Sequence, residues 1–335
     1  MSLVRVTEKI QKTITMANII IRPSSREEWL KERSTRIGGS EISAVVGLNP
    51  FESPYQLWRR KKGLDPAKEE NFAMKAGHYL EDAVAQFYAD ASGRTIIKRS
   101  AIDWLYVNRE KQFLSGSPDR TFWLSDNHAD GKGVLECKTT RKPIDPEELP
   151  KHWFVQLQWN LGLAEMPLGS LAWLTQGSEF GYKDIALVPD FYGWLVEEGE
   201  KFYRDYILGD KEPEARCVAD IITKFARSSA ETRALEDIFA SEPEKAESIA
   251  LACSDYKELK SQIAALEEKK DELEERIKLC FGEAEAISYG GLTLATWKSA
   301  KDSEKFDSKA FKAEHPDLAA QYIKSAPGAR RFLVK

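Results

Sequence analysis

The chain has 335 residues, 42% of them apolar and 31% charged, with a formal net charge of −5. That length and apolar content suit a globular core of ordinary domain size with room for an appendage, and they exclude a disordered polyelectrolyte. No apolar run is long enough to span a bilayer and residues 1–17 are polar and mixed in charge, so neither a membrane span nor a cleavable signal peptide is expected. Cys137, Cys217, Cys253 and Cys280 are scattered without a C-x-x-C pair. That spacing argues against a zinc site or an iron–sulfur cluster and for reduced thiols in cytoplasm.

The charge is uneven along the chain. Residues 1–100 carry 17 Lys and Arg against 12 Asp and Glu, and the remainder carries 32 against 42. The basic part includes Arg33, Arg36, Arg59-Arg60-Lys61-Lys62 and Lys98-Arg99. A basic track of this kind can follow a nucleic-acid backbone with salt-sensitive affinity while the whole molecule stays acidic. Solvated charge on helix ends produces the same count, so both readings stay open at this point.

In chain order, residues 1–24 read as a poorly patterned lead-in, and a module follows over residues 25–212. Near its start Gly38-Gly39-Ser40 precedes Glu41-Ile42-Ser43-Ala44-Val45-Val46. Ser40 is thereby placed to cap a helix whose unpaired N–H groups and positive dipole end attract phosphate, with Arg33 as a forked donor beside it. A plain capped helix next to a surface arginine is the other reading.

Residues 72–89 carry Ala73, Ala76, Leu80, Val84, Phe87 and Tyr88 at helical spacing. Gly77 and Glu81, four apart, share one face of that helix, where the glycine would let a backbone approach while the carboxylate reaches inward; a solvated helix charge is the alternative for Glu81.

The segment 117–138 is the most informative. Phe122-Trp123-Leu124 and Val134-Leu135 bracket the polar turn at 125–131, so it reads as a hairpin with Asp119 at the start of its first strand. Alternation on the second strand sends Glu136 and Lys138 to one face and Cys137 to the other. Three more E-x-K triplets, at Glu258/Lys260, Glu267/Lys269 and Glu268/Lys270, lie in a charged helical stretch and lack this setting. Mg²⁺ takes hard oxygen ligands and keeps several waters, so Asp119, Glu136 and the carbonyl of Cys137 suit it, with Lys138 placed to orient or deprotonate a nucleophile. Phosphodiester hydrolysis is the chemistry such a set serves. An exposed hairpin carrying a surface Glu–Lys pair is the reading against it.

Residues 151–163 form a further helical stretch in which Gln156 and Gln158 differ by about 200°, so at most one faces a site. Strands are expected at 170–175 and 181–188, then a closing helix at 190–207 and a boundary at Gly209-Asp210-Lys211-Glu212-Pro213. This is an α/β core, a mixed central sheet flanked by helices. The rest, 213–335, is a mainly helical extension with short strands. Leu259, Ile263, Leu266, Leu273 and Ile277 repeat at four–three spacing with Lys270 in the vacant slot, which fits a coiled coil, a helical hairpin or a helix packed on its own domain. Beyond Gly290-Gly291 come strand-like stretches at 292–297 and 331–335 around a helical 308–324.

The stretch from Trp29 to Trp58, with Arg33, Gly38-Gly39-Ser40 and Gly47, is followed by Gly77-x-x-x-Glu81, Ser117-Pro118-Asp119, Glu136-x-Lys138 and Gln156-x-Gln158. In that order they resemble the YqaJ viral recombinase family of the PD-(D/E)XK nuclease superfamily, to which lambda exonuclease is related, over about residues 25–210. The resemblance implies a restriction-endonuclease-like core with Asp119, Glu136 and the Cys137 carbonyl as metal ligands and Glu81 serving a second metal or its water. It implies that Lys138 acts on the nucleophile, that Gln156 supports the lysine, and that Arg33 and Ser40 grip a 5′-terminal phosphate, with Arg36 counted among the DNA-binding residues. The implied activity is a Mg²⁺-dependent (or Mn²⁺-dependent) 5′–3′ exonuclease on linear double-stranded DNA, leaving 3′ single-stranded tails for an annealing protein. Relatives form ring-shaped homotrimers, and the implied setting is a phage or prophage protein in the bacterial cytoplasm. An endonuclease of the same superfamily, for restriction or repair, and a non-catalytic DNA-binding or annealing protein are the alternatives. Tails like 213–335 occur in some phage members and not in lambda exonuclease, so the likeness in function stops near 210.

Overall fold

The computed structural model describes residues 18–66, 71–97, 104–304, 306–323, 328 and 330–335. Strand β1 (Ile19–Ile21) leads to α1 (Arg26–Ser34), whose first turn is capped by Ser25 accepting from the Glu28 N–H. Next come α2 (Gly39–Val45) and α3 (Pro54–Lys61), the latter opened by a Ser53 cap and a proline in its first turn. Helix α4 (Phe72–Ser92) is capped by Asn71 and stopped by Gly93, whose φ of 71° only a glycine adopts without strain. Strands β2 (Ile96–Ile97), β3 (Leu105–Val107), β4 (Ser115–Gly116), β5 (Arg120–Trp123) and β6 (Lys132–Thr140) then lead to α5 (Lys151–Ala164). β7 (Leu168–Thr175), β8 (Glu179–Ala186), α6 (Pro189–Phe202), a π-helical continuation over Tyr203–Leu208, and α7 (Val218–Lys224) complete the first part of the chain.

Five strands pair in the order β2-β5-β6-β7-β8. Only β6 and β7 run parallel, and α5 is the crossover that parallel neighbours require. Helix α4 covers one face through Val84, Ala85 and Tyr88 against Phe122, Leu135 and Ala172. Helix α5 covers the other through Trp153, Leu157 and Leu161 against Val134, Leu171 and Trp173. The result is a mixed sheet between helices, the α/β core expected from the sequence pattern. A small antiparallel sheet, β1-β3-β4, stands beside it, and a bridge from Ile37 to Leu114 ties the entry of α2 to β4. A further apolar cluster of Ile42, Leu114, Trp159, Leu195 and Phe202 joins α2, α5 and α6.

Contacts divide the chain between Lys224 and Phe225, not at 212/213. The reason is Asp220 of α7, fully buried, which accepts from the Ser53 hydroxyl at 2.7 Å and the Arg216 N–H at 2.9 Å and so ties residues 213–224 to the α3 cap. The lead-in also differs from expectation: the β-branched triplet Ile19–Ile21 pairs with β3.

The C-terminal unit contains α8 (Leu235–Ile238), the 37-residue α9 (Pro243–Leu279), strands β9 (Ala286–Tyr289) and β10 (Leu292–Thr296), α10 (Ser308–Glu314) and α11 (Pro316–Tyr322). β9 and β10 form a hairpin whose turn, Gly290 (φ 58°) and Gly291 (φ 80°), needs two left-handed residues in succession. The helix expected at 308–324 is interrupted at His315, because Pro316 disfavours helical backbone in the residue before it. Residues 331–335 form no strand: no ladder partner is present among the described residues, and Phe332 instead meets Tyr256 edge-on at 5.7 Å.

Candidate active site

Strand β6 separates two environments by alternation. Leu135 and Cys137 point into the α4-side core, while Val134, Glu136 and Lys138 point toward α5. Past Leu135, β6 has run beyond its register with β5, which begins at Arg120, so its edge there is open to Asp119. The Cys137 N–H donates to Asp119 Oδ2 at 2.8 Å. A strand residue projects its N–H and C=O to the same side, which directs the Cys137 carbonyl to the edge where Asp119 stands.

Glu136 is fully buried and its carboxylate takes three donors: Lys138 Nζ at 2.9 Å, Gln156 Nε2 at 2.8 Å and Asn160 Nδ2 at 2.6 Å. Lys138 Nζ also lies 3.7 Å from Asp119 Oδ2. Burial and the neighbouring Asp119 charge push Glu136 up to about 7 against the pull of Lys138. For Lys138, burial lowers the ammonium but the two carboxylates outweigh it and hold it charged. The geometry supports the charged lysine, so one ammonium faces two carboxylates and the cluster carries an excess negative charge that a cation would relieve.

Glu81 reaches the same neighbourhood from α4. It is bound by the Arg120 guanidinium and has His78 Nδ1 at 3.7 Å. A cavity of about 180 Å³ is lined by Glu81, Asp119, Arg33, Ser40, Gln156 and Asn160 among others. Arg33 donates to Ser40 Oγ at 2.8 Å and lies 4.8 Å above the Trp29 ring, whose other neighbour is Arg26 at 4.1 Å. The Trp29 indole N–H and the hydroxyls of Ser115 and Ser117 are buried with no hydrogen-bond partner among the described residues, and all three residues line this cavity.

Several expected positions differ. Ser40 is the second residue of α2, not its cap; Gly38 occupies that position, and its N–H is taken by the Glu41 carboxylate at 2.9 Å. Arg36 does not line the cavity, because Glu32 (2.6 Å) and the Gln112 carbonyl (2.8 Å) hold its guanidinium. The basic run after Trp58 is consumed internally: Arg59 binds Asp65 at 2.8 Å, Arg60 binds Glu52 at 2.8 Å and Lys61 binds the buried Glu41 at 2.9 Å. Lys98-Arg99 lie outside the described residues. Gln158 turns away from the cavity, donating to the Ala186 carbonyl and accepting from the Val188 N–H. At Gly77 an added Cβ would lie 3.5 Å from Thr139 Oγ1, an ordinary contact, so among the described residues no close backbone approach calls for glycine there.

Residues 28–167 match the YqaJ-like viral recombinase domain. Over 320 residues the chain is 31% identical to YqaJ of Bacillus subtilis (strain 168), covering 93% of this chain and 94% of that protein. The chain belongs to the YqaJ family. Among solved structures it is similar to LHK-Exo, an alkaline exonuclease from Laribacter hongkongensis, at 14% identity and a TM-score of 0.42, covering 54% of this chain and 93% of that one. It is also similar to a phage-related exonuclease from Haemophilus somnus 129PT, at 13% identity and a TM-score of 0.37, covering 52% and 95%.

In this YqaJ-family chain the donors around β6 fit a hard cation in kind. Asp119, Glu136 and Glu81 are carboxylates, the Cys137 carbonyl adds a neutral oxygen, and no sulfur or imidazole is required. They are not drawn onto one point: among the described residues no three His, Cys, Asp or Glu side chains converge as a metal-ready group. Arg120 holds Glu81, and the donors from α5 hold Glu136. Asn160 and Arg120 are two residues the motif reading omits. Asn160 was detectable, since it follows Gln156 by four residues on the same helical face, one turn deeper. Arg120 carries no pattern of its own beyond adjacency to Asp119, because its partners Glu81 and Asp82 come from a distant helix.

Proposed function

We propose that this protein is a metal-dependent exonuclease that degrades one strand of linear double-stranded DNA from its 5′ end, leaving 3′ single-stranded tails in phage-type recombination. The observation that carries the proposal is the contact of Lys138 with Glu136 and with Asp119, which lines a cavity together with Arg33 and Ser40. Asp119, Glu136, the Cys137 carbonyl and Glu81 would hold Mg²⁺ or Mn²⁺. Bound there, the ion supplies Lewis acidity to the attacked phosphate and makes water a stronger acid. Lys138, held as an ammonium beside Glu136 and Asp119, would orient the nucleophilic water, and to take up that water's proton it would first have to release its own. Gln156 and Asn160 hold the Glu136 carboxylate in a fixed orientation beside Lys138. Arg33, braced by Ser40, presents a forked donor to a terminal phosphate, which sets the register of the scissile bond and gives the enzyme its preference for ends. The 3′ tails would pass to an annealing protein, and a ring of subunits around DNA, as in relatives, would provide processivity.

The test is nucleotide release from linear duplex DNA in Mg²⁺, compared for 5′-phosphorylated and 5′-hydroxyl ends and for covalently closed circles. Release from the 5′-phosphorylated strand, intact circles, and loss of release in Asp119→Ala and Lys138→Ala with folding retained are the expected results. Cleaved circles would make the protein an endonuclease, and DNA binding without any release would make it a binding or annealing protein.

A further inference from the structure

The longest element of the C-terminal unit has no buried residue: α9 runs for 37 residues, every one exposed except the half-buried Ala246. Helices in water owe most of their stability to a packed face, so a helix of this length without one lacks its partner. From Leu259 the chain places Ile263, Lys270 and Ile277 at one seam position of a heptad and Leu259, Leu266, Leu273 and Cys280 at the other. The apolar side chains of this seam stand open, Ile263 at 55% exposure and Leu266 at 63%. Isoleucine at the first position with leucine at the fourth is the pattern of two parallel strands, and one polar residue in the seam fixes register.

The flanking charges identify the occupant. In a parallel, in-register pair each residue just before the first seam position faces the residue five places later on the other strand. Here that sets Asp255 against Lys260 of the second copy and Lys269 against Glu274 of the second copy, while Gln262 meets Glu267 and Arg276 meets Phe281, with no like-charged pair. The seam has room at its C-terminal end: Leu273 and Ile277 open onto a groove of about 540 Å³ beside Trp297. That tryptophan is held in place edge-on against Phe281 at 5.9 Å and beneath Lys278 at 5.3 Å. We propose that residues 255–280 of α9 form a parallel two-stranded coiled coil with the same segment of a second copy of this chain. The proposal stands independently of the nuclease reading, since it uses none of the cavity residues.

Cys280 supplies the test, because it is exposed and occupies a seam position where a parallel register places the two thiols opposite each other. Full-length protein carrying Cys217→Ser and Cys253→Ser is oxidised with copper phenanthroline over a range of protein concentrations and scored for covalent dimer. Crosslinking should depend on concentration, vanish in Cys280→Ser and fall roughly tenfold or more in Leu266→Asp. Because Leu266→Asp could act by unfolding α9, Lys270→Ile provides a change in the opposite sense: removing the seam charge should lower the concentration for half-maximal crosslinking by about tenfold or more. Crosslinking no faster than in Leu266→Asp, or no gain from Lys270→Ile, would overturn the proposal.

Discussion

At the scale of single residues, the cluster around Glu136 makes the sharpest demands. Replacing Lys138 with alanine is expected to reduce nucleotide release about 10²–10³-fold, the usual effect of deleting one positioned donor at a reacting group, with duplex binding in a gel-shift assay retained. Arg33→Ala should cut the preference for 5′-phosphorylated over 5′-hydroxyl ends by roughly ten- to a hundredfold, the value of a charge-assisted contact, with little change on 5′-hydroxyl ends. Gly116→Ala probes the support for the site. An added Cβ would lie 2.5 Å from Asn160 Oδ1 and 3.0 Å from Leu163 Cδ1, so the Asn160 amide must leave Glu136 or the strand must move. We expect a loss of about 1–3 kcal/mol in urea unfolding together with weaker activity. The grouping of Asp119, Glu136 and Lys138 was legible because a hairpin and strand alternation place them without knowledge of the remote fold, whereas periodicity left Gln156 and Gln158 as alternatives and the family resemblance chose Gln156. The surroundings of Arg36 and of Arg59, Arg60 and Lys61 were not legible, because a basic residue reads the same in sequence whether it faces solvent or a carboxylate such as Glu32, Asp65 or the buried Glu41.

At the scale of elements, one polar network fastens the end of α4 to the edge of the sheet. Arg94 grips Asp184 of β8 through two bonds of 2.8 and 2.7 Å, and Ser170 of β7 joins Asp184 at 2.6 Å and the Tyr88 hydroxyl at 2.8 Å. Burial pushes Asp184 up, but the hydrogen bonds from Arg94 and Ser170 and the Arg94 charge outweigh it and hold the carboxyl below its usual range. A group lowered on folding contributes stability that is complete above its unfolded value, near 4, and fades as pH falls through the lower folded value. The stability gap between the native protein and Asp184→Asn, measured by urea unfolding, should therefore be constant from neutral pH down to about 5 and shrink below about 4. A gap unchanged at acid pH would assign the network no such role. None of this network was visible in the sequence, since Arg94 and Asp184 are ninety residues apart and neither belongs to a periodic pattern.

On the scale of the whole molecule, the question is where one unit ends. The Gly209–Pro213 punctuation marks where the π-helical continuation stops at Leu208 but not the end of packing, because Asp220 of α7 still binds the Ser53 hydroxyl of the first unit. A chain ending at Lys224 should unfold cooperatively in urea, and one ending at residue 212 should be less stable by about 1–3 kcal/mol, having lost the partner of the buried Ser53 contact. Equal midpoints for the two truncations would return the boundary to 212. The described residues contain no helix long and apolar enough to cross a membrane.

The two-sided character of β6 limits how this chain can change over evolutionary time. Its odd-numbered residues Leu135 and Cys137 face the core under α4, while the even-numbered Val134, Glu136 and Lys138 face α5, the first in apolar packing and the other two in the polar cluster, within a single run of nine residues. Loss or gain of one codon there would exchange the two sets wholesale, moving Cys137 into the reaction chamber and Glu136 into hydrocarbon. Substitution can therefore explore this strand one letter at a time, whereas length variation must be confined to the turn at 125–131 or to the connection that follows Thr140.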